Sequence, residues 1–240
     1  LIEIESISVP IIITNQCMYM EFITKKLDFS NQTITQMKLN SKNFYNLIKK
    51  RRSVRDFKKQ KIDFEIIKNS VLSAGTAPNG ANLQPWHFVI IKNKSIKKKI
   101  RIAAELEETE FYEKKAPQEW LDALKPLGTD KNKKFLEEAP YLIAIFEKKY
   151  SLKNKKKIKN YYVKESVGIA TGILISCLHY SGLSMLTHTP SPMNFLNQIL
   201  KRPSNEKPFV LLVVGKPKAD CEIPVYAEKK KTFTKITSIF

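Results

Sequence analysis

Short apolar runs separated by longer periodic segments organise this 240-residue chain. Four runs are rich in β-branched and aromatic residues and predict strands at residues 86–92, 141–146, 183–187 and 209–214. The stretches around them predict helices at residues 41–50, 63–74, 95–114, around Trp120, 130–138, 161–180 and 192–201. Strands separated by long helical segments, with no internal repeat, indicate an α/β or α+β domain.

Residues suited to helix ends mark the boundaries of three of these helices. Ser41 and Ser95 are predicted N-caps, because a side-chain oxygen at that position accepts from a free backbone N–H. Asp63 is a third predicted N-cap, and Gly75 suits the C′ position of the same helix.

The predicted helix 161–180 is apolar on most of its faces, which is typical of a central buried helix. Gly168 and Gly172 lie four residues apart and therefore on one face, and Gly182 is expected to end the helix. The small residues allow another helix to approach closely, either inside the core or across a subunit interface.

The chain is predicted to contain one domain with extensions. Residues 1–40 show little periodicity and form a predicted N-terminal extension, and residues 41–240 form the predicted domain. The charged stretch 151–160 predicts a mobile surface loop. The tail from residue 216 onward contains two prolines and is expected to be extended.

The first residues are weak candidates for a targeting or membrane segment. Residues 1–20 come nearest to an apolar span, but Glu3 and Glu5 interrupt them, and the basic region of a signal peptide is missing. Met18 or Met20 is hypothesised to be the natural start. We therefore expect a cytoplasmic protein without a membrane partner.

The formal net charge of +19 raises the question of an anionic partner. The excess lies largely in lysine runs, at residues 97–99, 155–157 and 229–231, without the interleaved aromatics of nucleic-acid sites. A solvated basic surface is the favoured interpretation, and no nucleic acid is expected as a partner.

Common catalytic motifs are absent from the sequence. The seven glycines form no G-x-G-x-x-G or P-loop pattern, which argues against Rossmann-type and P-loop nucleotide binding. G-x-S-x-G and H-E-x-x-H are also missing. Three cysteines and three histidines show no metal-ligand spacing, so we expect free thiols and no metal.

Two clusters remain as candidate ligand sites. Arg51-Arg52-Ser53-Val54-Arg55 offers three guanidiniums and a hydroxyl between two predicted helices, which suits a phosphate. Alone, it fits a solvated helix end equally well. Residues 74–86, dense in small residues with two prolines and two glycines, can bring backbone N–H groups close to a planar ligand. The alternative is a structural connection into the next strand.

Together these clusters resemble the FMN-dependent nitroreductase superfamily. R-R-S-V-R is followed by A-G-T-A-P-x-G-A-N-x-Q-P-W and a strand, and the similarity continues at residues 161–172, 182–183, 187–190 and 214–217. It covers roughly residues 41–236. The resemblance implies an α+β fold with a mixed sheet flanked by helices, and an intertwined homodimer with a C-terminal extension. It also implies two FMN sites built across the subunit interface.

The resemblance also implies which residues hold FMN. The arginine cluster would bind its phosphate and ribityl chain, residues 78–81 would line the flavin, and Thr187–Thr189 would face the isoalloxazine. Thr189 is the better candidate for a hydroxyl donor to flavin N5, and so the candidate catalytic residue. The expected cofactor ligands are Arg51, Arg52, Ser53, Arg55, Pro78, Asn79, Gly80, Thr187, His188, Thr189 and, in place of a common C-terminal Arg, Lys230.

Residues 108–135 resemble the active-site lid of the iodotyrosine deiodinase branch. Its pattern is E-x-E-F-Y…A-P-x-x-W…L-G-T-D…K…F-L-E-x-A-P. In that branch, residues matching Glu108, Tyr112 and Lys133 clasp the ammonium and carboxylate of a halotyrosine, and a zwitterion needs complementary charges. The backbone N–H of Ala81 would meet the phenolate. The alternative is an exposed, salt-bridging helix.

The resemblance implies reductive dehalogenation of halotyrosine to tyrosine and halide, with NAD(P)H or a reductase as electron donor. Two features depart from the pattern. Asn79 stands where the best-known deiodinases have Ser, and the membrane anchor of the animal members is not evident. A nitroreductase or quinone reductase acting on other aromatic substrates is the alternative enzyme. A flavin-binding or basic nucleic-acid-interacting protein without turnover is the non-enzyme alternative.

Overall fold

A computed structural model gives the coordinates, and it describes residues 22–154 and 156–240. The hypothesised starts Met18 and Met20 lie outside the described residues. Contacts within the chain separate two units, one ending at Ser41 and one beginning at Lys42. The boundary predicted after residue 40 stays a prediction.

The first helix, α1, spans Ile34–Ile48, so the prediction that Ser41 begins it was wrong. The hydroxyl of Thr33 accepts from the N–H of Gln36 at 3.2 Å and occupies the capping position instead. The Ser41 hydroxyl donates to the carbonyl of Lys38 at 2.9 Å. Its polar group is therefore satisfied inside the helix, where the sequence pattern alone indicates a cap.

Seven further helices and six strands follow in the described residues. The helices are α2 Phe64–Gly75, α3 Lys94–Glu110, α4 Gln118–Leu124, α5 Phe135–Glu138, α6 Val163–Tyr180, α7 Phe195–Ile199 and α8 Phe233–Ile236. The strands are β1 Trp86–Ile91, β2 Tyr141–Lys148, β3 Tyr150–Lys153, β4 Lys156–Lys159, β5 Ser184–His188 and β6 Glu206–Gly215. All four predicted strands are confirmed.

Four strands form the central sheet in the order β1-β2-β6-β5, with antiparallel neighbours throughout. The register pairs Trp86 with Glu147 and His188 with Leu211. A parallel pairing is added at the β5 edge by an isolated bridge between Ser53 and Met185. Strands β1 and β5 are thus the two edges of this sheet.

Helices cover both faces of the sheet, which gives an α+β architecture. On one face α2 and α6 pack over a core that includes Ile67, Leu174 and Leu212. On the other face α3, α5 and α7 enclose a second core that includes Ile100 and Phe146. Because successive strand residues point to opposite faces, β2 and β6 contribute to both cores.

Helix α2 begins as predicted. Asp63 precedes it, and its side chain accepts from the N–H of Glu65 at 2.9 Å. Gly75 is the last helical residue and Thr76 occupies the C-cap, so the placement of Gly75 at C′ was wrong. The Thr76 hydroxyl donates to the carbonyl of Ser73 at 2.8 Å, which satisfies a terminal carbonyl without a left-handed residue.

Helix α3 begins two residues earlier than predicted, because its N-cap is Asn93 and not Ser95. The Asn93 side chain accepts from the N–H of Ile96 at 3.0 Å, and Ser95 lies inside the helix. The prediction that Ser95 is the N-cap was therefore wrong. The helix ends at Glu110 and continues as a single π-helical turn over Phe111–Lys115.

Four other segments differ from prediction. Residues 151–160 form most of a hairpin, β3 paired with β4, instead of a loop. Its charged strands form a separate two-stranded sheet, which gives no alternation with a buried face for a sequence pattern to show. The helices predicted at 130–138 and 192–201 are shorter, and the tail contains a 3₁₀ turn, Val225–Glu228, before α8.

Helix α6 is buried on one face and largely exposed on the other in the described residues, so the prediction of a central buried helix was wrong for the single chain. Leu174 and Leu178 are fully buried, whereas 46% of Ile169 and 75% of Tyr180 are exposed. Gly182 ends the helix as predicted, at φ +79°. The outer face of α6 is apolar and, together with α1, lines an open groove.

Candidate functional site

The arginine cluster lies directly after α1, beside the edge strand β5. Ser53 bridges to Met185, and the N–H of Val54 donates to the carbonyl of Met185 at 3.2 Å. Val54 is buried, and Arg51, Arg52, Ser53 and Arg55 are all half-buried. Main-chain pairing therefore fixes the cluster at one edge of the sheet.

Arg52 is only partly satisfied by the protein. Its Nη1 donates to the carbonyls of Lys49 at 2.6 Å and Arg51 at 2.9 Å, and its Nη2 lies 3.7 Å from the carboxylate of Glu228. Its Nε is buried and, among the described residues, has no hydrogen-bond partner. Buried donors are normally paired, so this one indicates a position for an anionic group.

The end of β5 presents two hydroxyls on one side and an imidazole on the other. Thr187 and Thr189 are exposed, whereas His188 is buried, as the alternation of a strand requires. The His188 ring meets Phe135 edge-on at 5.6 Å between centroids. Its Nε2 is buried without a partner in the described part of the chain. Of these three residues, Thr187 and Thr189 expose their side chains to a ligand on the open side of the strand.

Burial lowers the pKa of His188 to about 3, with Lys133 and Arg55 adding smaller effects in the same direction. The imidazole is therefore neutral at physiological pH. Desolvation is the main cause because the charged form loses water without gaining an acceptor.

The low pKa of His188 predicts an acid-labile fold. Above pH 6.5 both folded and unfolded chains hold it neutral; as the pH falls toward 3, only the unfolded chain takes up the proton. At pH 5 this costs about 2 kcal/mol of unfolding free energy relative to pH 7. Urea unfolding at both pH values should show a smaller loss for His188→Asn than for the unchanged protein. An equal loss in the two proteins would contradict the assignment.

Glu108 and Lys133 form a nearly enclosed ion pair in the lid region. The ammonium of Lys133 lies 3.1 Å from the Glu108 carboxylate, with side chains 7% and 14% exposed. It also donates to the carbonyl of Asp130 and lies 5.7 Å from the centre of the Tyr112 ring. We call Glu108, Tyr112 and Lys133 the lid cluster. Its burial excludes the alternative of an exposed, salt-bridging helix.

Tyr112 reaches the lid cluster from the π turn that follows α3. Tyr112 is the second residue of this turn, Phe111–Lys115, and single π-helical turns recur at functional sites. The Tyr112 hydroxyl donates to the Thr129 hydroxyl at 2.9 Å. Phe111 packs edge-on against Trp120 and ties the π turn to α4.

Arg55 connects the arginine cluster to the lid. Burial lowers its pKa, and the nearby Tyr112 and Asp130 partly offset that effect. Arg55, Asp130 and Lys133 line one cavity. The structure thus brings the arginine cluster, the end of β5 and the lid cluster into one region.

The loop before β1 has an unusual backbone. Ala81, Asn82 and Gln84 all have φ near +50°, a conformation that is uncommon for residues other than glycine. The Asn79 side chain closes the loop, accepting from the N–H of Gln84 at 2.7 Å and donating to the carbonyl of Ala77 at 3.1 Å. Strained backbone concentrates at functional sites, which supports a ligand role for this loop.

Gly80 lies against the start of α6. A Cβ there would come within 3.0 Å of the Tyr162 ring and 3.2 Å of the Tyr161 carbonyl. Pro78 and Ala81 on either side are exposed. The loop therefore presents its surface outward while glycine permits the close packing beneath it.

The loop and the arginine cluster lie at opposite edges of the sheet. The loop leads into β1, whereas the cluster pairs with the outer side of β5, so four strand spacings, roughly 19 Å, separate the cluster from β1. The structure therefore does not bring Pro78, Asn79, Gly80 and Ala81 together with the other predicted ligands within one chain.

The C-terminal tail returns to the arginine cluster. Glu228 approaches Arg52, and the 3₁₀ turn that contains it contacts a second turn, Lys125–Leu127, in the lid. Lys230 follows two residues later, and its ammonium donates to the carbonyl of Ala227 at 2.5 Å. Lys230 is exposed and close in sequence to this contact, but no bond joins it to the arginines in the described structure.

The described residues contain neither a metal-binding cluster nor a membrane-spanning helix. In residues 22–154 and 156–240, no group of three acidic, cysteine or histidine residues is arranged to hold a metal ion. No helix described there has the length and apolarity needed to span a bilayer. The cytoplasmic location stays a prediction.

Comparison with known proteins decides the family. A family model described as the nitroreductase family matches residues 48–216. The chain belongs to the nitroreductase family. The fold class predicted from the sequence is thereby confirmed.

Relatives within the nitroreductase family are iodotyrosine deiodinases. One from Haliscomenobacter hydrossis is 50% identical over 197 residues, 82% of this chain and 89% of the relative. Iodotyrosine deiodinase 1 of Mus musculus is 42% identical over 193 residues, 79% of this chain and 67% of the relative. A crystal structure of oxidized iodotyrosine deiodinase with FMN and 3-iodo-L-tyrosine matches with a TM-score of 0.69 and 33% identity, covering 82% of this chain and 100% of that one. The predicted resemblance is confirmed.

Sequence reasoning missed three residues that contact the predicted site. Thr129 accepts from Tyr112, Glu228 approaches Arg52, and Glu105 accepts from the main chain of Lys133. Glu105 carries a weak signal, since it lies one turn before Glu108 on a predicted helix. Glu228 carries none, because its contact depends on the path of the tail.

Proposed function

We propose that this chain is an FMN-dependent oxidoreductase that removes halide reductively from a halotyrosine, giving tyrosine and halide. The observation that carries the proposal is the buried Glu108–Lys133 pair, 3.1 Å apart, beside Tyr112. Two opposite charges and a phenol side by side complement an amino acid's zwitterion. The iodotyrosine deiodinase relatives support the same activity.

The residues at the β5 edge fit FMN. Arg51, Arg52 and Arg55 provide permanent positive charge for a phosphate, and the unpaired Nε of Arg52 is a free donor for one of its oxygens. Ser53 adds a hydroxyl, and Lys230 adds charge from the tail. Thr189 offers an exposed hydroxyl as the donor to the flavin ring. Reduced FMN bound there would supply two electrons, which together with a proton replace the carbon–halogen bond by a carbon–hydrogen bond and release halide.

The lid cluster binds the zwitterion by exchanging partners. Without substrate, Glu108 and Lys133 neutralise each other. A zwitterion inserted between them gives its ammonium to Glu108 and its carboxylate to Lys133, so every buried charge stays paired. A substrate analogue with one charge leaves either Glu108 or Lys133 unpaired in a buried site, which is strongly unfavourable. The cluster therefore selects amino acids over singly charged phenols.

The site is completed by a second copy of the chain. Pro78, Asn79 and Gly80 are too far from the arginine cluster to line the same flavin within one chain, and the apolar outer face of α6 is left exposed by residues 22–154 and 156–240. A homodimer joined across α6 satisfies both observations. The N–H of Ala81, in its left-handed conformation, is then the donor for the substrate's phenolate. NAD(P)H or a reductase is the electron donor.

The cofactor assignment predicts that Arg52→Ala weakens FMN retention. Removing one charge-assisted contact costs about 1.5–3 kcal/mol, or roughly ten- to a hundredfold in the dissociation constant. Flavin fluorescence during dilution measures this constant, and Lys98→Ala, which removes an exposed positive charge on α3, is the control. Equal FMN affinity of Arg52→Ala and the unchanged protein would remove the phosphate role. Acid-released flavin should be FMN and not FAD.

The substrate assignment is tested by comparing two activities of the purified, FMN-loaded protein. Dehalogenation of iodotyrosine, measured as released iodide, should exceed reduction of a nitroarene at equal concentration. Fast nitroarene reduction without iodide release would identify a general nitroreductase instead.

A further inference from the structure

Helix α3 carries a row of polar side chains along the face that meets the end of the lid. Lys97, Arg101, Glu105 and Glu108 follow one another at spacings of four, four and three residues, which aligns them on one side of the helix. Lys97 is buried, and the other three are half-buried. Charged groups that are removed from water are destabilising unless they form hydrogen bonds or ion pairs, so each of these side chains is expected to have a specific partner.

Several hydrogen-bond partners of these α3 side chains lie in the segment 133–139, which begins with Lys133. One carboxylate oxygen of Glu105 accepts from the main-chain N–H of Lys133 at 2.7 Å and from Nε of Arg101 at 2.8 Å. Arg101 also donates to the Glu137 carboxylate at 3.2 Å. The side chain of Glu105 is thus held by Arg101 while it fixes the backbone of Lys133.

The short helix α5 depends on these contacts at both ends. Its N-cap residue, Lys134, makes no capping bond with its own side chain in the described structure, and Glu105 supplies an acceptor beside that end. At the other end the ammonium of Lys97 donates to the carbonyls of Glu137 at 2.8 Å and Ala139 at 2.6 Å. Helix α3 therefore anchors the Lys133 segment from both sides.

Resting on the proposed function, we propose that Glu105 is a positioning residue that sets the distance between the Lys133 ammonium and the Glu108 carboxylate. Glu105 and Glu108 lie one turn apart on the same rigid helix. The hydrogen bond from the main chain of Lys133 to Glu105 therefore fixes the position of the Lys133 ammonium relative to Glu108. The two charges of an α-amino acid have a fixed spacing. A fixed position of Lys133 relative to Glu108 therefore makes the lid cluster selective for the zwitterion.

Ligand binding to the FMN-loaded protein tests the role of Glu105. The probes are 3-iodotyrosine and 2-iodophenol, which share an iodinated phenol but differ in the zwitterion, and flavin fluorescence reports binding. Glu105→Ala should weaken iodotyrosine binding about tenfold and leave iodophenol binding unchanged. Glu105→Gln keeps size and an acceptor oxygen and should lie between. Glu107→Gln, two residues along the same helix, is the matched control.

Hydrogen exchange supplies a readout independent of the ligand. The amide of Lys133 should exchange faster in Glu105→Ala than in Glu107→Gln, because its acceptor is gone. Parallel weakening of both probes, or loss of FMN, would show a merely structural role and overturn the inference. If the Glu105→Ala variant still binds iodotyrosine in preference to iodophenol to the same degree, the inference about Glu105 is overturned but the proposed function is not. An unchanged protein that binds iodotyrosine no better than iodophenol would overturn the proposed function as well.

Discussion

Replacing Glu108 by Gln should lower the turnover efficiency for halotyrosine far more than that for a nitroarene. The change keeps the size of the side chain but leaves Lys133 without its buried counter-charge and the substrate ammonium without a negatively charged acceptor. Losing a charge-assisted contact in a closed site costs about 2–4 kcal/mol, or some thirty- to several-hundredfold in kcat/KM. Iodide release and nitroarene reduction, measured on one preparation, give the comparison.

The control for this experiment is Glu110→Gln. Glu110 lies on the same helix, but its ion pair with Lys115 is about half exposed, and such pairs contribute little. If Glu108→Gln lowers both activities together, Glu108 has a structural role. If it lowers neither, the lid cluster does not bind the substrate.

Placing a charge on the outer face of α6 should separate the subunits and release FMN. Ile169 is 46% exposed in the single chain, so Ile169→Glu leaves the fold of one chain intact. In a dimer joined at this face the carboxylate would be buried without a partner, which costs several kcal/mol. Light scattering should report monomers at micromolar protein, and the monomers should lack flavin because the loop from Pro78 to Ala81 comes from the other copy.

Ile158→Glu is the matched control for the dimer prediction. Ile158 is also partly exposed, but it lies in the β3–β4 hairpin, away from α6. This variant should stay dimeric and yellow. An Ile169→Glu protein that remains dimeric would exclude this face as the interface, and a flavin-loaded monomer would show that one chain suffices for the site.

Features of the fold that depend on neighbouring residues in the sequence could be predicted, and those that depend on distant contacts could not. The central strands were predictable because each is a short apolar run, and Asp63 was predictable because capping depends on neighbours in sequence. The β3–β4 hairpin was not, since its exposed lysines give no alternation with a core. The half-exposed state of α6 also escaped prediction, because an apolar helix face gives the same residue pattern whether it is packed in the core or exposed in the single chain.

For the candidate site too, residue types could be predicted from the sequence but contacts between distant segments could not. The charge and hydroxyl of the arginine cluster and the lid cluster were visible as residue types at recognisable spacings. The direct Glu108–Lys133 pair was not, because it depends on how residues 116–132 fold back onto α3. Nor was the distance of the Pro78–Ala81 loop from the arginines, because the order of strands in a sheet is a non-local property.

The most direct test of the proposed activity is an anaerobic titration of the reduced, FMN-loaded protein with 3-iodotyrosine. Each iodotyrosine consumes the two electrons of one reduced flavin, so the absorbance of oxidised flavin should return fully at one equivalent. Tyrosine and iodide should appear in equal amounts. Flavin that stays reduced in excess iodotyrosine, while a nitroarene reoxidises it, would contradict the assignment of this chain as a halotyrosine dehalogenase.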